Sequence, residues 1–130
     1  MLLVALALVT AVPQGCRAYD ARLPRPLSGW TRNGRGLDTR HSATFAVTRG
    51  KVETRITIRK AGLVGIAADQ DGWIDAFAGR GGAMKMARES RGPRCSTIRK
   101  IVYYRMRPGT YRVTVNRLKG NRVKLMLTHD

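Results

Sequence analysis

The sequence predicts an all-β protein: an antiparallel, jelly-roll-like β-sandwich of about eight short strands. Three observations carry this expectation. Apolar and polar residues alternate with a period of two through much of the chain after residue 41. Gly and Pro, 14 and 5 of them, punctuate the chain between the alternating runs. No stretch of ten or more residues holds a helical period. At 130 residues and 43% hydrophobic content, the chain can bury the core of one domain.

Residues 1–18 read as a signal peptide. The apolar run Leu2–Val12 is too short to span a bilayer but has the length of a leader core. Cys16-Arg17-Ala18 places small residues at the −3 and −1 positions for cleavage before Tyr19. No Lys or Arg precedes the run, which leaves two readings, a start upstream of Met1 or a weak signal. An alternative is a lipoprotein acylated at Cys16, although Pro13 and Gln14 fit a lipobox poorly. Cleavage before Tyr19 leaves Cys95 as a lone cysteine, read as a small buried apolar residue. The location expected is periplasmic or secreted, with no transmembrane span in the mature chain.

Residues 19–40 read as a flexible, basic lead-in, broken by Pro24, Pro26, Gly29, Gly34 and Gly36. Trp30 is its one anchor, expected to pack on the domain. The sandwich is expected over 41–130. Thr44–Val47 is a short strand. In Lys51–Arg59, Val52, Thr54, Ile56 and Ile58 point one way and Glu53, Arg55, Thr57 and Arg59 the other. Leu63–Ala68 is evenly apolar and more buried. Asp71-Gly72 reads as a tight hairpin turn returning the chain through Trp73–Phe77. A glycine loop precedes a weak strand at Ala83–Arg88, and Glu89–Pro93 is another loop.

The last third is the clearest. Ser96–Met106 is a long strand, and Pro108-Gly109 is a β-turn pair. Thr110–Asn116 then points Tyr111, Val113 and Val115 inward. Lys119-Gly120-Asn121 turns again, and Val123, Leu125 and Leu127 face in on the final strand.

These turn motifs carry a resemblance. Ala61-Gly62, Asp71-Gly72 with Asp75, and Pro108-Gly109-Thr110-Tyr111-Arg112-Val113 resemble the bacterial pre-peptidase C-terminal module over roughly residues 52–128. The resemblance implies a small exported sandwich that binds or assists and does not catalyse. Gly92-Pro93-Arg94-Cys95 with Ile98-Arg99-Lys100 is also similar to small exported proteins of proteobacteria, which implies a compartment and no activity.

Charge is the unusual quantity. Lys and Arg number 25 against 8 Asp and Glu, a formal +17. Such a surplus concerns partners and solubility, not fold. In the last three strands Arg99, Lys100, Arg105, Arg107, Arg112, Arg117, Lys119, Arg122 and Lys124 crowd a short span. If those strands pair, their cations form one positive sheet face able to bind anions, since guanidinium forks suit phosphates and carboxylates. The same pattern also describes a solvated exterior whose like charges discourage edge pairing. The partners implied are an anionic lipid, a glycan or an acidic protein. Export argues against nucleic acid, and no nucleic-acid-binding motif is present.

The remaining candidates are weaker. Asp69, Asp71 and Asp75 resemble part of a calcium loop, but Ala67 and Ala78 stand where further ligands belong. His41 and His129 have no second ligand at zinc spacing. Ser42, Ser90 and Ser96 sit in no nucleophile elbow, and no local motif pairs Cys95 with His41. No assembled acid–base or nucleophile set exists, so neither an enzyme nor a cofactor is expected. The sequence-based expectation is an exported binding or accessory module; the alternative is a structural domain that packs on a periplasmic partner, its charge incidental.

Overall fold

The computed structural model describes residues 15–130. The apolar run Leu2–Val12 lies outside the described residues. Eight strands form two antiparallel sheets, as the period-two pattern predicted: β1 (Ala43–Ala46), β2 (Val52–Ile58), β3 (Gly62–Ala68), β4 (Trp73–Ala78), β5 (Arg88–Arg91), β6 (Lys100–Met106), β7 (Gly109–Asn116) and β8 (Arg122–His129). One sheet has the order β1-β8-β3-β6-β5, the other β2-β7-β4.

The pairs β1–β8, β2–β7 and β3–β6 are nested around the middle of the chain. This is a long double strand rolled onto itself, the wrapping of a jelly roll. The fold departs from a symmetric roll at β5, which pairs with β6 instead of lying beside β4.

The wrapping corrects several local expectations. Asp71-Gly72 is not a hairpin turn: β3 and β4 lie in different sheets, and neither residue has positive φ. Gly72 is required there for space, because a Cβ would stand 2.8 Å from Leu118 and 2.9 Å from Val115. The two-residue turn with both φ values positive is Arg49-Gly50, closed by Thr48 and Lys51, each donating its N–H to the other's carbonyl at 3.0 Å. Pro108-Gly109 likewise carries the chain between sheets. Tyr111 fixes that arch: its hydroxyl donates to the Arg107 carbonyl at 2.8 Å and accepts the Arg107 N–H at 2.9 Å. The expected strand Ala83–Arg88 is mostly loop, and β5 occupies part of the expected loop Glu89–Pro93. β6 starts at Lys100, later than Ser96.

The inward faces meet as expected. Tyr111, Val113 and Val115 from β7 pack with Val123, Leu125 and Leu127 from β8 in the main core, beside Ile56, Val64, Ile66 and Val102. Tyr104 ties the sheets together, its hydroxyl donating to the Ile74 carbonyl at 2.8 Å.

The segment 19–40, expected to be a flexible lead-in, instead packs on the domain: its first half covers the outer face of the five-stranded sheet, and Leu37 enters the main core. A short 3-10 helix, Arg25–Thr31, follows Pro24 and carries Pro26 in its first turn, where the ring's fixed φ suits a helix and its missing N–H costs nothing. It buries Leu27 and Trp30 against Ala67, Ile98, Ile101, Tyr103 and Met126 as a second core. Trp30 is completely buried, and its indole N–H donates to Thr97 Oγ1 at 2.8 Å. Apolar residues on the sheet's outer face call for such a cover, which the segment's lack of period concealed.

The cysteines correct a further expectation. Cys16 and Cys95 form a disulfide across 79 residues, so Cys95 is neither lone nor fully buried. A Cys16 sulfur held in that bond is not available for acylation. Asp20 supports the same junction, its carboxylate accepting the Thr97 N–H at 2.7 Å and the Thr97 hydroxyl at 2.6 Å.

Candidate anion-binding surfaces

The jelly-roll wrapping scatters the nine basic residues that the sequence groups together. β6, β7 and β8 do not pair with one another: β3 separates β6 from β8, and β7 lies in the opposite sheet. The single positive face does not form. Arg112 stands on the outer face of the three-stranded sheet, where it stacks on Phe77 at 4.4 Å and pairs with Glu53 at 3.0 Å. Lys124 is on the opposite outer face, its Nζ 4.5 Å from the Trp30 ring. Arg99 pairs with Asp71 at 2.8 Å and Lys100 with Glu89 at 3.2 Å. Arg105 and Arg107 sit at the end of the sandwich that carries the β2–β3 and β6–β7 arches. Arg117, Lys119 and Arg122 sit at the opposite end, with the Arg117 guanidinium 5.7 Å from the Trp73 ring.

The carboxylates considered for calcium do not converge. Asp69 accepts the Lys124 N–H at 3.0 Å. Asp71 is held by Arg99, with Arg91 at 3.9 Å, and the Arg99 hydrogen bond keeps its carboxyl below the ordinary value. Asp75 lies on the other sheet and accepts the Trp73 indole N–H at 3.0 Å. Among the described residues no group of three or more His, Cys, Asp or Glu is placed to hold a metal ion.

The ion-pair pattern is more informative than the basic run. All eight acidic residues are engaged: Asp20 with Thr97, Asp38 with His41, Glu53 with Arg112, Asp69 with a backbone N–H, Asp71 with Arg99, Asp75 with Trp73, Glu89 with Lys100 and Asp130 with Arg88. The cations that take carboxylates are Arg88 and Arg91 of β5, Arg99 and Lys100 at the start of β6, and Arg112 of β7. Among the described residues the ion pairs thus take up three cations of the basic run and leave uncompensated charge both at the ends of the sandwich, on Arg105, Arg107, Arg117, Lys119 and Arg122, and outside the run.

One concentration of it lines a groove of about 550 Å³ between the 36–40 segment and residues 55–60. Arg40, Arg55, Arg59 and Lys60 stand around it, and among the described residues none of these side chains has an ion-pair partner. Leu37, Ile56, Ile58 and Leu127 supply the apolar floor. The only carboxylate is Asp38, which is turned onto its own loop and accepts the N–H groups of Arg40 and His41, each at 2.7 Å. Partial burial raises its pKa, but those donors outweigh the burial and leave the carboxyl below its ordinary value. Arg55 and Arg59 were legible as outward residues of a strand. Their apposition to Arg40 depends on Asp38 lying along β8, where its carbonyl accepts the Leu127 N–H, a non-local contact without a sequence signal.

A second surface is aromatic. Trp73 is 58% exposed on the outer face of β4, held by Asp75, with Phe77 and Arg112 further along that face. No family model matches the chain, and neither a curated protein nor a solved structure matches it.

Proposed function

We propose that this protein is an exported, non-enzymatic binding or accessory module that engages an anionic envelope component or an acidic partner through its basic surface. The observation that carries the reading is the exhaustion of the eight carboxylates, which leaves the surplus cations uncompensated. Contact is multidentate and electrostatic, and no bond is made or broken. The disulfide supports an oxidising compartment, periplasmic or extracellular. On this reading a leader is removed upstream of Cys16, not before Tyr19, so that the pair survives. The sandwich with interleaved Asp71-Gly72 and Pro108-Gly109 crossings is compatible with a module of the pre-peptidase C-terminal type.

The test is salt-dependent retention. The mature protein should bind immobilised heparin or vesicles rich in anionic lipid at low salt, and lose affinity steeply as salt rises through screening and counterion release. Failure to be retained by either of these, by lipopolysaccharide and by an acidic peptide would refute the reading.

A second reading is favoured by one observation, the exposed Trp73 beside Phe77 on an uncovered sheet face. It makes the protein a structural domain that packs on a periplasmic partner through that face, with charge incidental. Partner capture that is insensitive to salt and lost in Trp73→Ala would favour it.

A further inference from the structure

A sandwich has two open sides, and this one treats them differently. On the β4/β5 side the loop 79–87 closes the gap. The Met84 N–H donates to the Ala76 carbonyl of one sheet at 2.7 Å, and the Ala87 N–H donates to the Tyr103 carbonyl of the other at 2.8 Å. Met84 also packs onto the core. On the β1/β2 side, at the end where the groove lies, the 36–40 segment runs along β8 and puts Leu37 into the core, but among the described residues no backbone hydrogen bond joins it to β2. There β2 is the edge of its sheet, paired with β7 alone. Residues 55–58 of β2 line the groove consecutively, followed by 59–60 of the arch beyond it, so the groove presents the strand's edge and not one of its faces.

We propose that this groove receives an extended acidic segment of a partner protein, which adds as a strand to the free edge of β2. The inference rests on the anion-binding reading above and names the class of partner. Every second residue of an edge strand directs its N–H and C=O away from its neighbour, which offers a ladder to an incoming chain. The rim selects the occupant. Arg40, Arg55, Arg59 and Lys60 repel a second copy of this basic chain and match carboxylates on alternate positions of an added strand. Between these cations the groove floor takes small apolar side chains, so an alternating acidic and aliphatic segment fits best.

The probe is a fluorescein-labelled heptapeptide of alternating glutamate and valine, titrated into the disulfide-intact protein by anisotropy. Binding is expected, with increased hydrogen-exchange protection of amides within 53–58. The variant Arg55→Glu with Arg59→Glu should weaken binding at least tenfold while its melting temperature stays within a few degrees. Lys119→Glu with Arg122→Glu, at the far end, should change it less than twofold. A peptide N-methylated on the edge facing β2 keeps its charge and should lose binding. Equal binding of the methylated peptide, or equal effects of the two double variants, overturns strand addition. Protection of 55–60 by anionic vesicles in place of the peptide overturns it in favour of a membrane surface. If heparin retains the protein and the peptide does not bind, the groove inference falls and the broader function stands; if nothing anionic binds, both fall.

Discussion

Removal of the Cys16–Cys95 disulfide should lower the melting temperature by on the order of 15 °C. The bond closes a loop with a sequence separation of 79. The chain-entropy relation for a loop of that length gives about 4.5 kcal/mol at 25 °C. A domain of this size shifts by about 4 °C per kcal/mol. The relation is a ceiling, because in the reduced protein residues 16–22 can detach and regain freedom. What then still holds them is mainly Asp20, through Thr97 and through its own N–H on the Cys95 carbonyl at 2.9 Å. The assay compares thermal unfolding by circular dichroism in oxidised protein, reduced protein and the double variant Cys16→Ser with Cys95→Ser. The double variant avoids a free thiol that would cross-link chains. A shift below about 3 °C would show that the bond constrains little of the unfolded chain. Two titratable thiols in denatured, unreduced protein, or a mature protein that begins at Tyr19, would refute the pairing itself.

Three other outcomes follow from single groups. Trp30→Ala empties a fully buried site, so urea unfolding should show a loss of about 3–5 kcal/mol; a loss under 1 would mean that the N-terminal segment is not part of the core. Tyr111→Phe removes the hydroxyl that both donates to and accepts from Arg107 across the β6–β7 arch, at a cost of about 1–3 kcal/mol by the same measurement, and an unchanged midpoint would refute the role. Burial pushes the Tyr104 phenol up to about 12, helped by the nearby negative charges of Asp75 and Glu89. A phenol raised in the folded state holds its proton while the unfolded chain releases one near 10. Its contribution is therefore complete below pH 10 and is lost as pH climbs toward 12, about 3 kcal/mol in all. The stability difference between wild type and Tyr104→Phe should shrink between pH 9 and 11; a constant difference would contradict the shift.

The sandwich was legible because alternation is plain in β2 and β4, where Val52, Ile56 and Ile58 are buried and Glu53, Arg55 and Thr57 exposed, while β3, β6 and β8, covered on both faces, show as apolar runs between turn residues. Strand partners were not legible. A period of two says which side of a strand faces the core, but not which sheet holds it. Asp71-Gly72 and Pro108-Gly109 have the composition of hairpin turns, yet in a rolled double strand sequence neighbours go to opposite sheets. That one ambiguity dispersed the basic face predicted for the last three strands. The outer cover was hidden for a different reason. Leu27 and Trp30 are held by tertiary contacts with no local period, and a segment rich in Pro, Gly and Arg resembles a linker until a sheet face is found to need it.

Placement of the charges bears on function more than their number does. A surplus that served solubility alone would put carboxylates and cations through one another over the whole surface. Here Asp69, Asp71 and Glu89 lie toward one end of the sandwich with Arg91, Arg99 and Lys100, and Glu53 and Asp75 lie on the outer face of the small sheet. The β1/β2 side at the other end keeps a single carboxylate, Asp38, committed to its own loop. That side is also where a sheet edge stays uncovered, while the opposite side is sewn shut through Met84 and Ala87. Uncompensated cations beside unpaired backbone keep a strand from pairing with its own kind. The same arrangement attracts an acidic strand, so protection against self-association and selection of a partner are two consequences of one charge distribution.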